Sequence, residues 1–224
     1  SPIRLITRIT DDNSTVGVER DSRLGNGRAL PSDVLDGPSN VLLMGSPMDS
    51  RTLDTGFSLL TASPPERTRV LWVTLLNTPR EVVDIWDSYC SVRPDRLRVV
   101  IVGGGLSVTD TVDDPAVGAH TVDDPADLTT LGVRVLNALA TLETDEDVDL
   151  CLRFDSLTTL SQYVSREGLA RFLHVLTTRL SDAGVRAHFH LDPMAHDSQT
   201  VSTFASIFDT QVRVDDDGLS LSSR

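Results

Sequence analysis

The stretch NVLLMGSPMDSRT, residues 40–52, decides the fold. It contains an apolar run at 41–44, then Gly45, and it leads into an amphipathic segment at 53–60. A short, wholly apolar run is typical of a strand buried on both faces, and the segment after it has the spacing of a helix. Residues 40–52 therefore predict a strand, a tight turn and the first turn of a helix.

The same alternation continues to the end of the chain. Further strands are predicted at 70–73, 99–102, 150–154, 187–191 and 211–214, and further helices at 81–89, 127–142, 167–183 and 199–208. Apolar strands separated by helices indicate a mostly parallel sheet with helices on both faces. We expect a three-layer, doubly wound α/β domain over 40–224, preceded by an arm or linker at 1–39.

Two local features modify this outline. The sequence DDDG at 215–218, between two apolar alternations, predicts a hairpin and an antiparallel edge at the C-terminal end. The sequence TVDDPA occurs twice, at 111–116 and 121–126, within a predicted loop. We expect Asp123 or Asp124 to cap the helix that follows the second copy, with Pro125 in its first turn.

The charge of the chain is unusual. It has 27 Asp, 6 Glu, 20 Arg and no Lys, and its net charge is −13. Short carboxylates without lysine suit a protein dissolved in strong salt, where the Debye length falls to about 3 Å and self-repulsion is screened. We expect a halophilic protein that does not bind nucleic acid, because no basic cluster stands out.

The sequence also bears on the compartment. No run approaches the roughly 18 apolar residues of a membrane span, and no apolar signal core follows basic residues near residue 1. We therefore expect a cytoplasmic protein with no membrane partner. Cys90 and Cys151 lie far apart without a metal-ligand spacing, so both are predicted to be reduced and structural.

Residues 45–52 match the phosphate-binding pattern Gly, any four, Gly, Lys, Ser or Thr only at its ends, Gly45 and Thr52. Ser50 replaces the second glycine, and Arg51 replaces the lysine, whose compact charge a planar guanidinium does not reproduce. Asp49 adds a carboxylate that repels phosphate. These changes predict a degenerate nucleotide-binding loop. The alternative is a plain strand-to-helix turn, capped by Asp49 or Ser50.

Asp155 ends the strand predicted at 150–154, where a carboxylate can hold Mg²⁺ through water. The alternative is that Asp155 or Ser156 caps the next helix. Arg153 is unusual in a buried strand. The segment at 74–78, which follows the strand predicted at 70–73, contains no glutamate that could orient a water for attack on a phosphate. Without a lysine clamp or that base, we expect no phosphoryl transfer and name no catalytic residue.

Three histidines offer a different chemistry. His188 and His190 alternate along a predicted strand, and His196 follows in the next turn, so the three are candidate metal ligands. Alternatively, the first two pack in the core and His196 belongs to a capped turn that leads into a helix.

Several segments together resemble one family. They are residues 40–48, 123–131, 154–160, 171–176, 191–193 and 196–197. They resemble the haloarchaeal proteins related to the RecA/KaiC superfamily, and the likeness covers roughly 40–215. Members with an intact loop carry Gly and Lys where this chain has Ser50 and Arg51. The resemblance implies a RecA/KaiC-type fold, a role in regulation or signalling, and packing between protomers.

These observations favour a catalytically inactive RecA/KaiC-like regulatory or signalling module that needs no cofactor and binds a protein partner or itself. The first alternative is a nucleotide-binding switch with slow or absent hydrolysis, in which Arg51, Thr52 and Asp155 hold ATP with Mg²⁺. The second is a metal-dependent enzyme that uses the region of His188, His190 and His196.

Overall fold

A computed structural model describes residue 30 and residues 39–103, 112–142 and 148–223. Its strands are β1 (Ser39–Met44), β2 (Thr68–Thr74), β3 (Arg96–Val102), β4 (Val117–Val122), β5 (Asp149–Asp155), β6 (Arg186–Leu191), β7 (Thr210–Asp215) and β8 (Gly218–Ser223). They form one sheet in the order β4-β3-β2-β5-β6-β1-β7-β8. All neighbouring pairs are parallel except β7 and β8. The predicted mostly parallel sheet with an antiparallel C-terminal pair is confirmed.

Six α-helices occur in the described part of the chain. They are α1 (Ser50–Leu60), α2 (Pro79–Tyr89), α3 (Leu128–Ala140), α4 (Leu157–Leu160), α5 (Arg166–Asp182) and α6 (Ser198–Ala205). Most begin at a side chain that satisfies a free backbone amide, as Thr78 does for α2 in a reciprocal pair with Glu81. No helix within these ranges is both long and apolar enough to cross a bilayer.

The helices cover both faces of the sheet. On one face, α3 to α6 pack on alternate residues of the central strands to form the larger core, which includes Leu42, Leu71, Phe154 and Phe189. On the opposite face, α1 and α2 cover an aromatic cluster of Phe57, Trp72 and Trp86, and a smaller cluster contains Val41, Leu43 and Val212. The architecture is a layered α/β fold, as the alternation of strands and helices predicts.

The sequence analysis missed strand β4, which lies in the segment predicted as a loop. Its residues VGAHTV are weakly apolar, and five of the six are at least partly exposed, because β4 pairs only with β3 at the edge of the sheet. The predicted cap of the next helix is also wrong. Asp127, rather than Asp123 or Asp124, accepts the amide hydrogen of Thr130 at 2.9 Å and caps α3.

The hairpin at the C-terminal end has the predicted turn. Gly218 adopts φ +117°, a conformation that favours glycine, at the first residue of β8. The predicted arm at 1–39 lies outside the described residues apart from Leu30, which is buried in the cluster with Val41, and Ser39, which begins β1. Residue 111, which opens the first TVDDPA copy, also lies outside them. Cys90 and Cys151 are both free thiols.

Candidate functional site

The strand order brings the loop at residues 45–52 and Asp155 to the same edge of the sheet. β6 alone separates β1, which ends before Gly45, from β5, which ends at Asp155. The Gly45 amide donates to the carbonyl of Leu191 at the end of β6, at 3.1 Å. Ligands of open α/β sheets bind at this edge, beyond the carboxyl ends of the strands. The two parts of the predicted site are therefore near neighbours.

The loop from Gly45 to Asp49 is closed on itself. The amide of Met48 donates to Ser46 Oγ at 3.2 Å, and the amide of Asp49 donates to the Ser46 carbonyl at 3.1 Å. At the start of α1, the Arg51 amide donates to Asp49 Oδ1 at 2.9 Å and the Thr52 amide to the Asp49 carbonyl at 3.0 Å. A phosphate-binding loop offers such amides to an anion, whereas here all four donate to groups of the loop.

Asp49 is the N-cap of α1, which is the role that the plain-turn alternative gave it. Its carboxylate also binds the side chain of Arg51: Nε lies 3.1 Å from Oδ1, and Nη2 lies 2.7 Å from Oδ2. This bidentate hydrogen bond lowers the pKa of Asp49 and raises the pKa of Arg51. The carboxylate that was predicted to repel phosphate therefore occupies the cation at the lysine position.

The head of Arg51 is also tied to the β7–β8 turn. Its Nη1 donates to the carbonyl of Asp215 at 2.8 Å, and Nη2 lies 3.7 Å from Asp216 Oδ1. The guanidinium thus joins the start of α1 to the acidic hairpin. Because Nε, Nη1 and Nη2 of Arg51 all have protein acceptors, its guanidinium is not a free cation beside the loop.

Gly45 and Thr52, the two residues that match the ends of the phosphate-binding pattern, are in close contact. A Cβ at Gly45 would overlap Thr52 Oγ1, so only glycine fits at this position. Thr52 is 2 % exposed, and its Oγ1 is buried without a hydrogen-bond partner. An unsatisfied buried hydroxyl costs stability, so a polar ligand atom that formed a hydrogen bond with Thr52 Oγ1 would be stabilised here.

Asp155 is held by two basic side chains. Arg153 Nη2 donates to Oδ2 at 3.1 Å, and His190 Nδ1 lies 3.4 Å from Oδ1. Burial of the carboxyl opposes ionisation, but the charge of Arg153 and the contact with His190 outweigh it and hold the pKa of Asp155 below its ordinary value. Asp155 does not cap the next helix, because Ser156 accepts the Thr159 amide there.

Arg153 is the functional residue whose role the sequence analysis missed. It is 4 % exposed, and its guanidinium carbon lies 4.4 Å from the centre of the Trp72 ring and 5.7 Å from that of Phe57. α1 passes over it at Gly56, where a Cβ would approach Arg153 Nη1 to 3.0 Å. The signal in the sequence was an arginine inside an apolar strand. Nothing in the sequence showed which carboxylate it binds.

The three histidines make separate contacts. His190 Nε2 donates to the carbonyl of Gly45 at 2.9 Å, which links β6 to the loop. His188 is buried without a partner for Nε2, and burial together with the nearby Arg153 charge holds its pKa well below the ordinary value. His196 Nε2 lies 3.2 Å from Thr158 Oγ1. Within the described ranges no three metal-binding side chains converge.

Comparisons with known proteins place this chain in a family. The model of DUF7504, a family of unknown function, matches residues 38–214, so the chain belongs to that family. The comparison with curated proteins gave no match. A solved structure from Pyrococcus horikoshii OT3, studied as Project ID PH0250, is similar with a TM-score of 0.59 and 13% identity, over 85% of this chain and 89% of the other. At this identity the likeness shows the fold alone.

Proposed function

We propose that this member of the DUF7504 family is a catalytically inactive RecA/KaiC-like domain that acts as a regulatory or signalling interaction module in a halophilic cell. One observation carries the proposal: the two charged side chains of the degenerate site, Arg51 and Asp155, are already paired with other groups of the protein. Arg51 is bound by Asp49 and the hairpin, and Asp155 is bound by Arg153 and His190. Because these charges are paired within the protein, neither a free cation for the phosphates nor a free carboxylate for a metal ion remains among the described residues of the site.

The strand order supports the RecA/KaiC-like part of the proposal. A nucleotide site of that type needs a phosphate-binding loop and a metal-binding carboxylate side by side. Here the loop after β1 and Asp155 at the end of β5 lie one strand apart on the same edge. The framework suits nucleotide binding, and the altered side chains do not.

The residues present do not fit a magnesium–nucleotide complex or its hydrolysis. The compact charge of lysine is missing, and both oxygens of Asp155 face basic groups. The segment after β2 forms a closed turn in which Thr74 Oγ1 accepts the amides of Leu76 at 3.2 Å and Asn77 at 3.0 Å. No carboxylate in residues 74–78 could orient an attacking water. We infer that the chain does not hydrolyse ATP.

The interaction role draws support from apolar side chains beside the site. Met48, in the loop after β1, is 91% exposed, and Met194, in the turn after β6, is 90% exposed. Methionine adapts its shape to a partner and is frequent at binding surfaces. We propose that the partner is a protein, with self-association as the simplest case. Light scattering in molar KCl should give a mass that falls in a Met48→Gln, Met194→Gln variant if these residues bind a second copy.

ATP binding by calorimetry, in molar KCl with Mg²⁺, tests the loss of nucleotide chemistry. The proteins are the wild type, a Ser50→Gly, Arg51→Lys variant, and a variant with Asp49→Ala in addition. The third should gain most, because it restores glycine and lysine and removes the carboxylate that captures the cation. The matched control is Asp87→Ala, which breaks the Asp87–Arg93 ion pair away from the loop.

We expect no binding heat from the wild type or the control, and binding by the triple variant. Micromolar affinity of the wild type would contradict the proposal. The nucleotide-binding switch would then become the leading function, with Arg51, Thr52 and Asp155 as its ligands. One observation favours that second candidate: the buried Thr52 Oγ1 without a partner, which a phosphate or a metal-bound water could satisfy.

A further inference from the structure

We propose that Arg153 is the resident cation of this site: its guanidinium neutralises Asp155 and keeps divalent cations from binding that carboxylate. The inference rests on the proposed loss of nucleotide binding, which it extends by naming the residue that excludes the metal. The argument depends only on the contacts around the ends of β5 and β6.

Arg153 is enclosed by neighbouring side chains, and Nη2 makes its hydrogen bond to Asp155. It lies in β5 between Trp72 of β2 and His188 of β6, which are its partners in the sheet register. The Trp72 ring lies against the guanidinium, and Gly56 of α1 leaves the space that the Nη1 group fills. An arginine enclosed in this way cannot turn its charge toward solvent. Its direction toward Asp155 is therefore a built feature of the core.

This guanidinium neutralises the negative charge of Asp155, which a metal ion would otherwise neutralise. Arg153 Nη2 takes Oδ2 of Asp155, and His190 Nδ1 faces Oδ1, so each carboxylate oxygen already has a basic neighbour. Divalent magnesium and manganese bind through carboxylate oxygens. An ion that approached Asp155 would meet the positive charge of Arg153 in a buried site, where like charges repel more strongly than in water.

The arrangement also extends to the loop. His190 lies between Asp155 and Gly45. Its Nε2 donates to the Gly45 carbonyl at 2.9 Å, and its Nδ1 faces the Asp155 carboxylate. Arg153 and His190 thus hold Asp155 and the loop together without any bound ion.

Manganese binding without nucleotide tests this inference. The free Mn²⁺ signal is followed by electron paramagnetic resonance in molar KCl, which screens the surface carboxylates. The proteins are the wild type, Arg153→Met, Asp155→Asn, and Arg153→Met combined with Asp155→Asn. The matched control is Arg69→Met, which removes another buried arginine and releases Asp95, its partner at 2.8 Å. Circular dichroism checks that each variant is folded, and Arg153→Gln replaces the Met variant if that one is not.

We expect the wild type and Arg69→Met to show only the weak binding of an acidic surface. Arg153→Met should gain one site at least about tenfold tighter, and the added Asp155→Asn change should abolish it. A wild-type site that Asp155→Asn removes would overturn the inference, and so would a folded Arg153 variant that binds no more Mn²⁺ than the wild type. Because no nucleotide is present, these outcomes are separate from the ATP titration of the loop variants.

Discussion

Replacing Gly56 by alanine tests whether Arg153 fills the space beneath α1. A Cβ at Gly56 would lie 3.0 Å from Arg153 Nη1, 3.4 Å from Leu43 Cδ2 and 3.5 Å from His188 Nε2. The first distance is too short for an ordinary contact. The guanidinium cannot easily withdraw, because the Trp72 ring and the Asp155 carboxylate hold it from two sides. The new methyl group must therefore displace α1 or strain the buried ion pair.

Two opposing effects set the magnitude. Alanine is favoured over glycine inside a helix by about 1 kcal/mol. Overpacking a filled core costs about 1–3 kcal/mol. We expect Gly56→Ala to lower the free energy of unfolding by about 1 kcal/mol. Gly132→Ala in α3 is the control, because its Cβ would lie 3.5 Å from Phe172 Cε2, an ordinary contact. That variant should gain up to about 1 kcal/mol from helix propensity alone.

The assay is thermal unfolding of both variants in molar KCl, followed by circular dichroism. A difference of about 2 kcal/mol between them corresponds to about 4–8 °C in Tm for a chain of this size. Equal stabilisation by both substitutions would refute the reasoning, since the guanidinium would then not be fixed beneath Gly56. In an Arg153→Met background, the penalty of Gly56→Ala should disappear, because the unbranched side chain can move aside.

Three further predictions concern pH, salt and thiols. The pKa of His188 in the folded protein lies well below its unfolded value of about 6.5, so the free energy of unfolding should fall as the pH drops below about 6.5, by up to about 1.4 kcal/mol per pH unit. Urea unfolding at pH 5 and pH 7 should show that His188→Gln loses less stability between the two pH values than the wild type. Because the Debye length grows from about 3 Å in 1 M salt to about 10 Å at 0.1 M, repulsion within this chain of net charge −13 should lower Tm when KCl is diluted, and an unchanged Tm would argue against halophilic adaptation. Burial raises the pKa of Cys90 to about 11 and also raises that of Cys151; at pH 8 a disulfide reagent should label Cys90 roughly a hundredfold more slowly than a free thiol, and both cysteines should react at once after unfolding.

Much of the fold could be predicted because each central strand is buried on both faces. Every residue of β2 and β6 is buried, so their apolar runs stand out against the amphipathic helices that separate them. Strand β4 could not be predicted in the same way. It lies at the edge of the sheet, and a half-exposed strand that contains Gly118 and His120 has no strong apolar signal. Burial, rather than strand formation itself, made the pattern readable.

The candidate site could be predicted only in part, because its chemistry depends on pairings across the sheet. The sequence indicated that Arg51 stands where a phosphate-binding loop has lysine, and that Asp155 stands at a strand end. It could not show that Asp49 binds Arg51, or that β6 carries His190 to Asp155. These contacts depend on side-chain directions and on the strand order, which only the folded chain provides.

Two arginines at this edge of the sheet are each paired with a carboxylate. Arg51 at the lysine position would be an unpaired cation without a phosphate, and Asp49 supplies its carboxylate. Asp155 would be a largely buried anion without Arg153, which supplies its cation. Removing one partner of the buried Arg153–Asp155 pair leaves a charge without compensation, which costs about 3–5 kcal/mol. The Arg51–Asp49 pair is exposed to solvent, which compensates most of such a loss. Both pairs serve the same end, because each charged side chain at this edge of the sheet has its counter-ion within the chain and needs no bound ligand to balance it.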